Sequence, residues 1–253
     1  MSTIIAISGK GGVGKTTLAG LIVTRLIAHQ KKPVLAMDAD PNSCLDAALG
    51  VTATSTVGGV REEAREIAGK GMASGISKQE LLELKIEESL VEAADFDLIA
   101  MGRPEGPGCY CYANNVLKSV LNRLASQYPY VVLDNEAGLE NLSRRIVQKV
   151  NLFIMVTDPS ESGLRTVERL YALAKEMQIE FDHAVIIVNR IRGNRLPARA
   201  EQLKNELGID LVLGIPDNEA LAIVAEEGRS LFSLPEENEV IGQLDSLLRT
   251  FLQ

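Results

Sequence analysis

A glycine-rich stretch near the start of the chain constrains its fold more than any other feature. Residues 9–17 read GKGGVGKTT, directly after the β-branched run TIIAIS and directly before the helical pattern LAGLIVTRLIAH. This order, a strand, then G-x-x-x-x-G-K-[ST], then a helix, is typical of a phosphate-binding loop. Glycine lets the backbone approach a phosphate closely, and the positive end of the following helix faces the same anion. The sequence therefore predicts a nucleotide site at the end of the first strand.

The residues of this loop have distinct predicted roles toward ATP or ADP. Lys15 is expected to reach the β- and γ-phosphate oxygens, and the Thr16 hydroxyl is expected to bind Mg²⁺. A glycine-rich turn without function is the alternative, which the flanking strand and helix disfavour. The predicted nucleotide contacts from this stretch are Gly9, Lys10, Gly11, Gly12, Val13, Gly14, Lys15, Thr16 and Thr17.

Short apolar runs alternate with longer helical patterns along the chain, which predicts an α/β fold. Several of the short runs are apolar throughout, as is typical of parallel strands covered by helices on both faces. We expect one domain over residues 1–253, a doubly wound, mainly parallel sheet of the phosphate-loop NTPase type flanked by helices, with a helical excursion at about 57–92. The predicted strands span residues 4–8, 33–38, 97–101, 130–134, 152–157, 184–189 and 211–214.

Charge and cysteine content argue against several other classes of protein. The chain has 253 residues, a formal net charge of −8 and three cysteines. Nucleic acid and anionic lipid are bound through clustered Lys and Arg, so we expect neither nucleic acid nor membrane as a partner. The sequence shows no signal peptide and no apolar run of about 20 residues. With an odd number of cysteines as well, we expect a cytoplasmic protein with reduced thiols.

Three aspartates follow predicted strands. Asp38 and Asp40 lie in MDADPNSC after the second strand, and Asp134 ends the strand in YVVLDNEAG. Carboxylates at such strand ends suit Mg²⁺ or its waters and can orient an attacking water. Asp134 matches the acidic residue that holds magnesium or its water in phosphate-loop enzymes. For Asp38 and Asp40, the alternative is a turn built by Asp-Pro chemistry.

A second lysine in the loop adds a resemblance to a known family. Residues Lys10 to Thr16 match the K-G-G-x-G-K-[ST] loop of the deviant phosphate-loop ATPases. That group includes the nitrogenase iron protein, the septum-site and chromosome-partition ATPases, and several metal-cluster maturation ATPases. The resemblance implies a homodimer in which Lys10 reaches the partner's nucleotide. It also implies that Asp40 activates the attacking water. By the same resemblance, Asp38 is expected near the magnesium ion without binding it directly. Gly138 is expected in the second switch, a loop whose conformation changes with the bound nucleotide.

The same resemblance assigns the adenine contacts. Asn189 lies at the end of IIVNR, where the family has an asparagine that contacts adenine. The loop GIPDNE, residues 214–219, is expected to close over the base, with Pro216 and Asp217 as contacts. A lone asparagine at a strand end is otherwise typical of a turn, so this assignment depends on the resemblance.

Two of the three cysteines, Cys109 and Cys111, form a C-x-C pair in the loop GRPEGPGCYCYANN. Thiolates suit Zn²⁺ or Ni²⁺, but a tetrahedral site needs four ligands, and the pair alone is equally compatible with no metal. In a nucleotide-linked homodimer, two copies would bring four thiolates to the two-fold axis. Together with LDNEAGLENLSRR, this loop resembles the CooC-type carbon monoxide dehydrogenase maturation ATPases. That resemblance implies nickel insertion, with the dehydrogenase as client, although four thiolates accept zinc at least as readily.

Two other functions occur among similar ATPases and are alternatives here. An electron-transfer ATPase like the nitrogenase iron protein needs a cysteine in the second switch, and iron–sulfur scaffold ATPases carry C-x-x-C near the C-terminus. The sequence has neither, since no cysteine follows Cys111. A spatial-organisation or partition ATPase binds membrane or DNA through basic segments. Here the last twenty residues carry four acidic residues against Arg249 alone, which disfavours anionic lipid.

Overall fold

A central sheet of eight strands organises the residues that this computed structural model describes, which are 2–40, 42, 44–69, 77–102, 111–137, 149–193 and 195–252. The strands are β1 (Thr3–Gly9), β2 (Val34–Asp38), β3 (Val91–Glu92), β4 (Phe96–Ala100), β5 (Tyr130–Ala137), β6 (Lys149–Thr157), β7 (Glu180–Ile191) and β8 (Leu211–Pro216). Their order across the sheet is β3-β4-β2-β5-β1-β6-β7-β8. All neighbours are parallel except β3 and β4. The carboxyl ends of the parallel strands therefore share one edge of the sheet.

Helices cover both faces of this sheet. One face packs against α1 (Lys15–Ala28), α2 (Leu45–Leu49), α8 (Glu219–Glu226), the 3-10 helix Leu231–Ser233 and α9 (Glu239–Phe251). The other face packs against α3 (Val57–Gly69), α4 (Lys78–Glu88), α5 (Cys111–Ser126), α6 (Glu161–Glu176) and α7 (Ala198–Leu207). Among the described residues, none of the helices combines the length and the apolar character needed to cross a bilayer.

The central strands are apolar on both faces because each face contributes to a separate core. In β1, Ile5 and Ile7 belong to the core on the α1 side, whereas Ala6 belongs to the opposite core. In β6, Ile154 and Phe153 divide in the same way between the two cores. Burial on both faces explains why the strands read as continuous apolar runs in the sequence.

The predicted α/β fold is confirmed, including all of the predicted strands. Helices α3 and α4 lie within the stretch at about 57–92 where a helical excursion was expected. One strand was not predicted. Val91 and Glu92 form β3, at the end of the excursion, where they pair antiparallel with Leu98 and Asp97. Two residues carry no periodic pattern, so this edge strand exists because of its partner and not because of its own sequence.

Candidate nucleotide and magnesium site

The phosphate loop connects β1 to α1 at the edge where the parallel strands end. Gly12 and Gly14 have φ angles of 78° and 93°, in the left-handed region that glycine adopts most easily. At Gly9, an added Cβ atom would lie 2.2 Å from the carbonyl oxygen of Val156, so no side chain fits there. The glycines thus permit the tight turn on which the predicted phosphate site depends.

The two lysines of the loop differ in exposure. Lys15 is 7% exposed, and its Nζ donates a hydrogen bond to the carbonyl oxygen of Lys10 at 3.3 Å. The side chain of Lys10 is exposed. Lys15 therefore lies within the loop, whereas Lys10 is accessible to a second molecule, as its predicted role in a homodimer requires.

Thr16 and Asp134 form the centre of the predicted magnesium site. The Thr16 hydroxyl donates a hydrogen bond to Asp134 Oδ2 at 2.6 Å, although the two residues are 118 positions apart. Asp134 is fully buried, and its Oδ1 has no hydrogen-bond partner among the described residues. Burial raises the pKa of Asp134 to about 7, against the hydrogen bond from Thr16, which acts to lower it. An unpartnered buried carboxylate oxygen is costly, so this site favours a cation.

These residues fit Mg²⁺. Carboxylate and hydroxyl oxygens are the hard ligands that Mg²⁺ prefers in proteins. A divalent cation beside Asp134 would give Oδ1 a partner and favour the ionised carboxylate. When bound with a nucleotide, Mg²⁺ supplies charge that offsets the charge of the phosphates.

Asp38 ends the neighbouring strand, in register with Asp134 across the β2–β5 pair. It is 1% exposed, and burial raises its pKa. Both of its oxygens accept backbone hydrogen bonds, from the Asp40 N–H at 3.0 Å and the Leu45 N–H at 2.9 Å. Asp40 is half-buried and accepts a hydrogen bond from the Asn42 N–H at 2.9 Å. The carboxylate of Asp38 therefore holds the segment that carries Asp40.

A pocket lies between the phosphate loop and the start of α8. Asn189, which is 8% exposed, donates from Nδ2 to the carbonyl oxygen of Val13 at 2.8 Å, so it anchors the loop directly. The Val13 side chain is buried in the core on the α1 side. The structure brings the predicted adenine contacts together in this pocket, whose lining residues are Gly14, Thr17, Asn189, Arg190, Pro216, Asp217, Asn218, Leu221, Ala222 and Ala225.

Two polar residues of this pocket were not predicted from the sequence as individual contacts. Arg190 follows Asn189 directly and donates from Nη1 to the carbonyl oxygen of Gly12 at 3.4 Å. Asn218 caps α8, and its side chain exchanges hydrogen bonds of 3.0 and 3.3 Å with Asn238. The available signal for both was their position directly beside a predicted strand-end contact.

The predicted thiolate site lies outside the described residues. Cys109 and Gly138 are not among them, and Cys111 is described only as the first residue of α5. Within the described ranges, no group of three or more His, Cys, Asp or Glu side chains could hold a metal ion. Cys44, the third cysteine, is a free exposed thiol whose pKa is raised by partial desolvation and by nearby carboxylates, Asp38 first among them.

Comparison with known proteins identifies the family that matches this geometry. Residues 4–231 match the family model of the CobQ/CobB/MinD/ParA nucleotide binding domain. The chain belongs to this family. A solved structure of a ParA family ATPase from Chlorobium tepidum superposes on it with a TM-score of 0.72 at 20% identity, covering 100% of this chain and 99% of that one. At that identity, the likeness shows the shared fold.

Two relatives are similar in sequence to this chain along nearly its whole length. An uncharacterized ATP-binding protein of Methanocaldococcus jannaschii is 41% identical over 248 residues, covering 96% of each chain. The carbon monoxide dehydrogenase accessory protein CooC of Rhodospirillum rubrum is 28% identical over 246 residues, covering 91% of this chain and 89% of that protein. These similarities confirm the predicted nucleotide-binding family, whereas assignment to the CooC type stays a prediction.

Proposed function

We propose that the chain is a Mg²⁺-dependent ATPase that dimerises on nucleotide and assists nickel insertion into carbon monoxide dehydrogenase. The observation that carries the ATPase activity is the 2.6 Å hydrogen bond between Thr16 and Asp134, beside the unpartnered Oδ1 of Asp134. This pair offers Mg²⁺ two hard oxygen atoms next to a loop built for phosphate. The substrate is ATP, and the products are ADP and inorganic phosphate.

The lysines of the phosphate loop and the aspartates after β2 have separate roles in the proposed hydrolysis. The loop N–H groups and Lys15 bind the β- and γ-phosphates. Asp40 orients the water that attacks the γ-phosphorus as the bond to the β–γ bridging oxygen breaks. The carboxylate of Asp38 supports this role because it holds the backbone of Asp40. Lys10, which is exposed, contacts the nucleotide of the second copy and offsets phosphate charge across the homodimer.

Backbone hydrogen bonds support a connection between the predicted magnesium site and the segment that leads to the C-x-C pair. The Ala39 N–H donates to the carbonyl oxygen of Asp134 at 2.9 Å, and the Met101 N–H donates to the carbonyl oxygen of Asp38 at 2.8 Å. Met101 follows β4 directly and leads along the chain toward Cys109. A nucleotide-dependent shift of the Asp38 segment would therefore move Met101, from which the chain continues to Cys109 and Cys111.

The nickel assignment rests on the C-x-C pair and on the similarity to CooC. The Rhodospirillum rubrum relative is a carbon monoxide dehydrogenase accessory protein, at 28% identity. In the proposed dimer, Cys109 and Cys111 of both copies hold one ion, with Ni²⁺ as cargo and Zn²⁺ as its competitor. Closure on ATP assembles the four thiolates, and hydrolysis loosens them at the client.

Phosphate release tests the ATPase activity. The purified chain should release phosphate from ATP only with Mg²⁺, and Lys15→Ala should abolish release because the β/γ contact is lost. Asp40→Ala should still bind ATP but hydrolyse it about a hundredfold more slowly, since no group orients the water. Lys149→Ala, at the opposite end of β6, is the matched lysine control and should match the parent. Release that persists in Lys15→Ala would contradict the assignment.

Metal analysis with ATP tests the shared thiolate site. The parent should hold one Ni²⁺ or Zn²⁺ per dimer, and the double change Cys109→Ser, Cys111→Ser should remove the ion and spare nucleotide binding. Cys44→Ser is the matched control because it removes an exposed thiol outside the pair. One ion per monomer would contradict a shared site. Failure to transfer labelled nickel to the apo-dehydrogenase would contradict the maturation role.

A membrane or DNA organiser is the competing function, since the family includes MinD and ParA. The last helix, α9, gives this function no support. Its charged residues are Glu239, Asp245 and Arg249, and its apolar side is buried within the chain through Val240, Ile241, Leu244, Leu247 and Leu248. Co-sedimentation with anionic vesicles, or retardation of DNA at low salt, would favour the organiser.

A further inference from the structure

Strand β7 contains a bulge at Arg190, next to the phosphate loop. In the β7–β8 pair, Asn189 lies opposite Ile215 and Ile191 lies opposite Pro216, so Arg190 is the extra residue. Its φ angle is 57°, in the left-handed region that favours glycine. A bulky residue is therefore held in a strained conformation beside the candidate site, at a bulge of the kind that can redirect a side chain.

The bulge presents two side-chain donors to the outer side of the phosphate loop. Asn189 Nδ2 donates to the carbonyl oxygen of Val13 at 2.8 Å, and Arg190 Nη1 donates to the carbonyl oxygen of Gly12 at 3.4 Å. The backbone N–H of Arg190 donates to Asn189 Oδ1 at 3.0 Å, which fixes the orientation of the amide. Asn189 and Arg190, the left-handed residue that follows it, therefore both contact the phosphate loop.

The planar peptide bond relates these contacts to phosphate binding. A carbonyl oxygen and the next residue's N–H point in opposite directions across a trans peptide. With the Gly12 and Val13 carbonyls held toward β7, the N–H groups of Val13 and Gly14 point toward the other side of the loop. Convergent N–H groups of this kind form an anion-binding nest.

We propose that Arg190 is a positioning residue for the nucleotide phosphates: with Asn189, it holds the Gly12 and Val13 carbonyls outward so that the following N–H groups face the phosphate. This inference rests on the proposed function, because the phosphate belongs to ATP or ADP. The Arg190 side chain is exposed, and Asp158, which follows β6, interacts electrostatically with both Arg190 and Lys10. Arg190 also lines the pocket between the phosphate loop and the start of α8.

Three substitutions at Arg190 distinguish a role in positioning the phosphate loop from an effect on the stability of the fold. Arg190→Gly removes the guanidinium and relieves the left-handed backbone, whereas Arg190→Ala removes the guanidinium and keeps the strain. Arg190→Lys keeps a positive charge without the planar fork. Arg192→Ala, which removes an exposed arginine two residues further on, is the matched control. For each variant, calorimetry gives the dissociation constant of Mg-ADP, and thermal unfolding gives the melting temperature.

Arg190→Gly and Arg190→Ala should both bind Mg-ADP about tenfold more weakly than the parent, because the guanidinium no longer holds the Gly12 carbonyl and the loop must be ordered when ADP binds. Their melting temperatures should differ, with Arg190→Gly higher. Arg190→Lys should restore part of the affinity, and Arg192→Ala should bind like the parent. Parent-like affinity in Arg190→Gly, or affinity that follows the melting temperature across the variants, would overturn the positioning role. A parent chain that does not bind Mg-ADP would instead contradict the proposed ATPase function.

Discussion

Asp134 and Asp38 occupy equivalent positions on neighbouring strands, yet their carboxylates are bound differently. The two residues are in register across the β2–β5 pair, and burial raises the pKa of both. Both oxygens of Asp38 accept backbone hydrogen bonds, from Asp40 and Leu45. Asp134 shares one oxygen with Thr16, and its other oxygen has no partner in the part of the chain that the structure describes.

This difference indicates separate roles for Asp38 and Asp134, although they occupy equivalent positions in the sheet. A buried carboxylate whose oxygens are both bound by amides stabilises the loop that supplies those amides. A buried carboxylate with an unpartnered oxygen favours a cation. We therefore propose that Asp38 mainly holds the Asp40 segment in place and that Asp134 binds Mg²⁺ or its water.

The largest effect is expected for Asp134→Asn. The amide oxygen can still accept the hydrogen bond from Thr16, but the charge that attracts Mg²⁺ is gone. Mg²⁺-dependent phosphate release at saturating ATP should therefore fall by about a hundredfold or more. A variant that retained most of the parent rate would show that another group holds the magnesium, and the contrast with Asp38 would fail.

The next effect concerns stability as a function of pH in the absence of nucleotide and Mg²⁺. The pKa of Asp134 is about 7 in the folded chain against an ordinary value of 3.8, so between these values the folded state binds the proton more tightly. This group alone should lower the free energy of unfolding by about 1.4 kcal/mol per pH unit as pH rises from about 4 to about 7.

Urea unfolding of the parent and of Asp134→Asn at several pH values measures this contribution, because the difference between them removes the effects of the other carboxylates. The parent should lose stability relative to the variant as the pH rises through that window. Parallel pH profiles for the two proteins would contradict the buried, unpartnered state of Asp134.

A smaller effect is expected for Asp38→Asn. The amide keeps one acceptor oxygen, so the N–H of either Asp40 or Leu45 loses its partner, which should cost about 1–2 kcal/mol in the free energy of unfolding. Hydrolysis should fall by about tenfold at most, because Asp40 is displaced, while its Mg²⁺ dependence persists. Loss of Mg²⁺ dependence as complete as in Asp134→Asn would erase the distinction between the two carboxylates.

The smallest effect is expected for Thr16→Ser, which keeps the hydroxyl beside Asp134. Phosphate release should change by less than about twofold, because the motif accepts either hydroxyl residue. Thr16→Val, of similar size but without the hydroxyl, should lose most of the Mg²⁺-dependent rate. Equal rates in the two variants would show that the hydroxyl has no part in magnesium binding.

The phosphate loop and the three strand-end aspartates could be predicted because they depend on local patterns. The spacing of residues 9–17 and the apolar runs of the strands are visible in the sequence itself. Which aspartate keeps an unpartnered oxygen was not visible, because the partner of Asp134 lies 118 positions away at Thr16.

The anchoring of the loop was hidden for the same reason. Asn189 was predicted as an adenine contact, but its hydrogen bond to Val13 joins residues 176 positions apart. The bulge at Arg190 and the short strand β3 are set by pairing with β8 and β4, and their own residues carry no signal for either conformation.

The claim that Asp134 is the carboxylate for magnesium is tested most directly by measuring how Mg²⁺ changes the affinity for ADP. Calorimetric titration of ADP, with and without Mg²⁺, would compare the parent with Asp134→Asn and Asp38→Asn. Mg²⁺ should strengthen ADP binding in the parent and in Asp38→Asn, and should leave Asp134→Asn unchanged. An equal strengthening by Mg²⁺ in Asp134→Asn would contradict the claim.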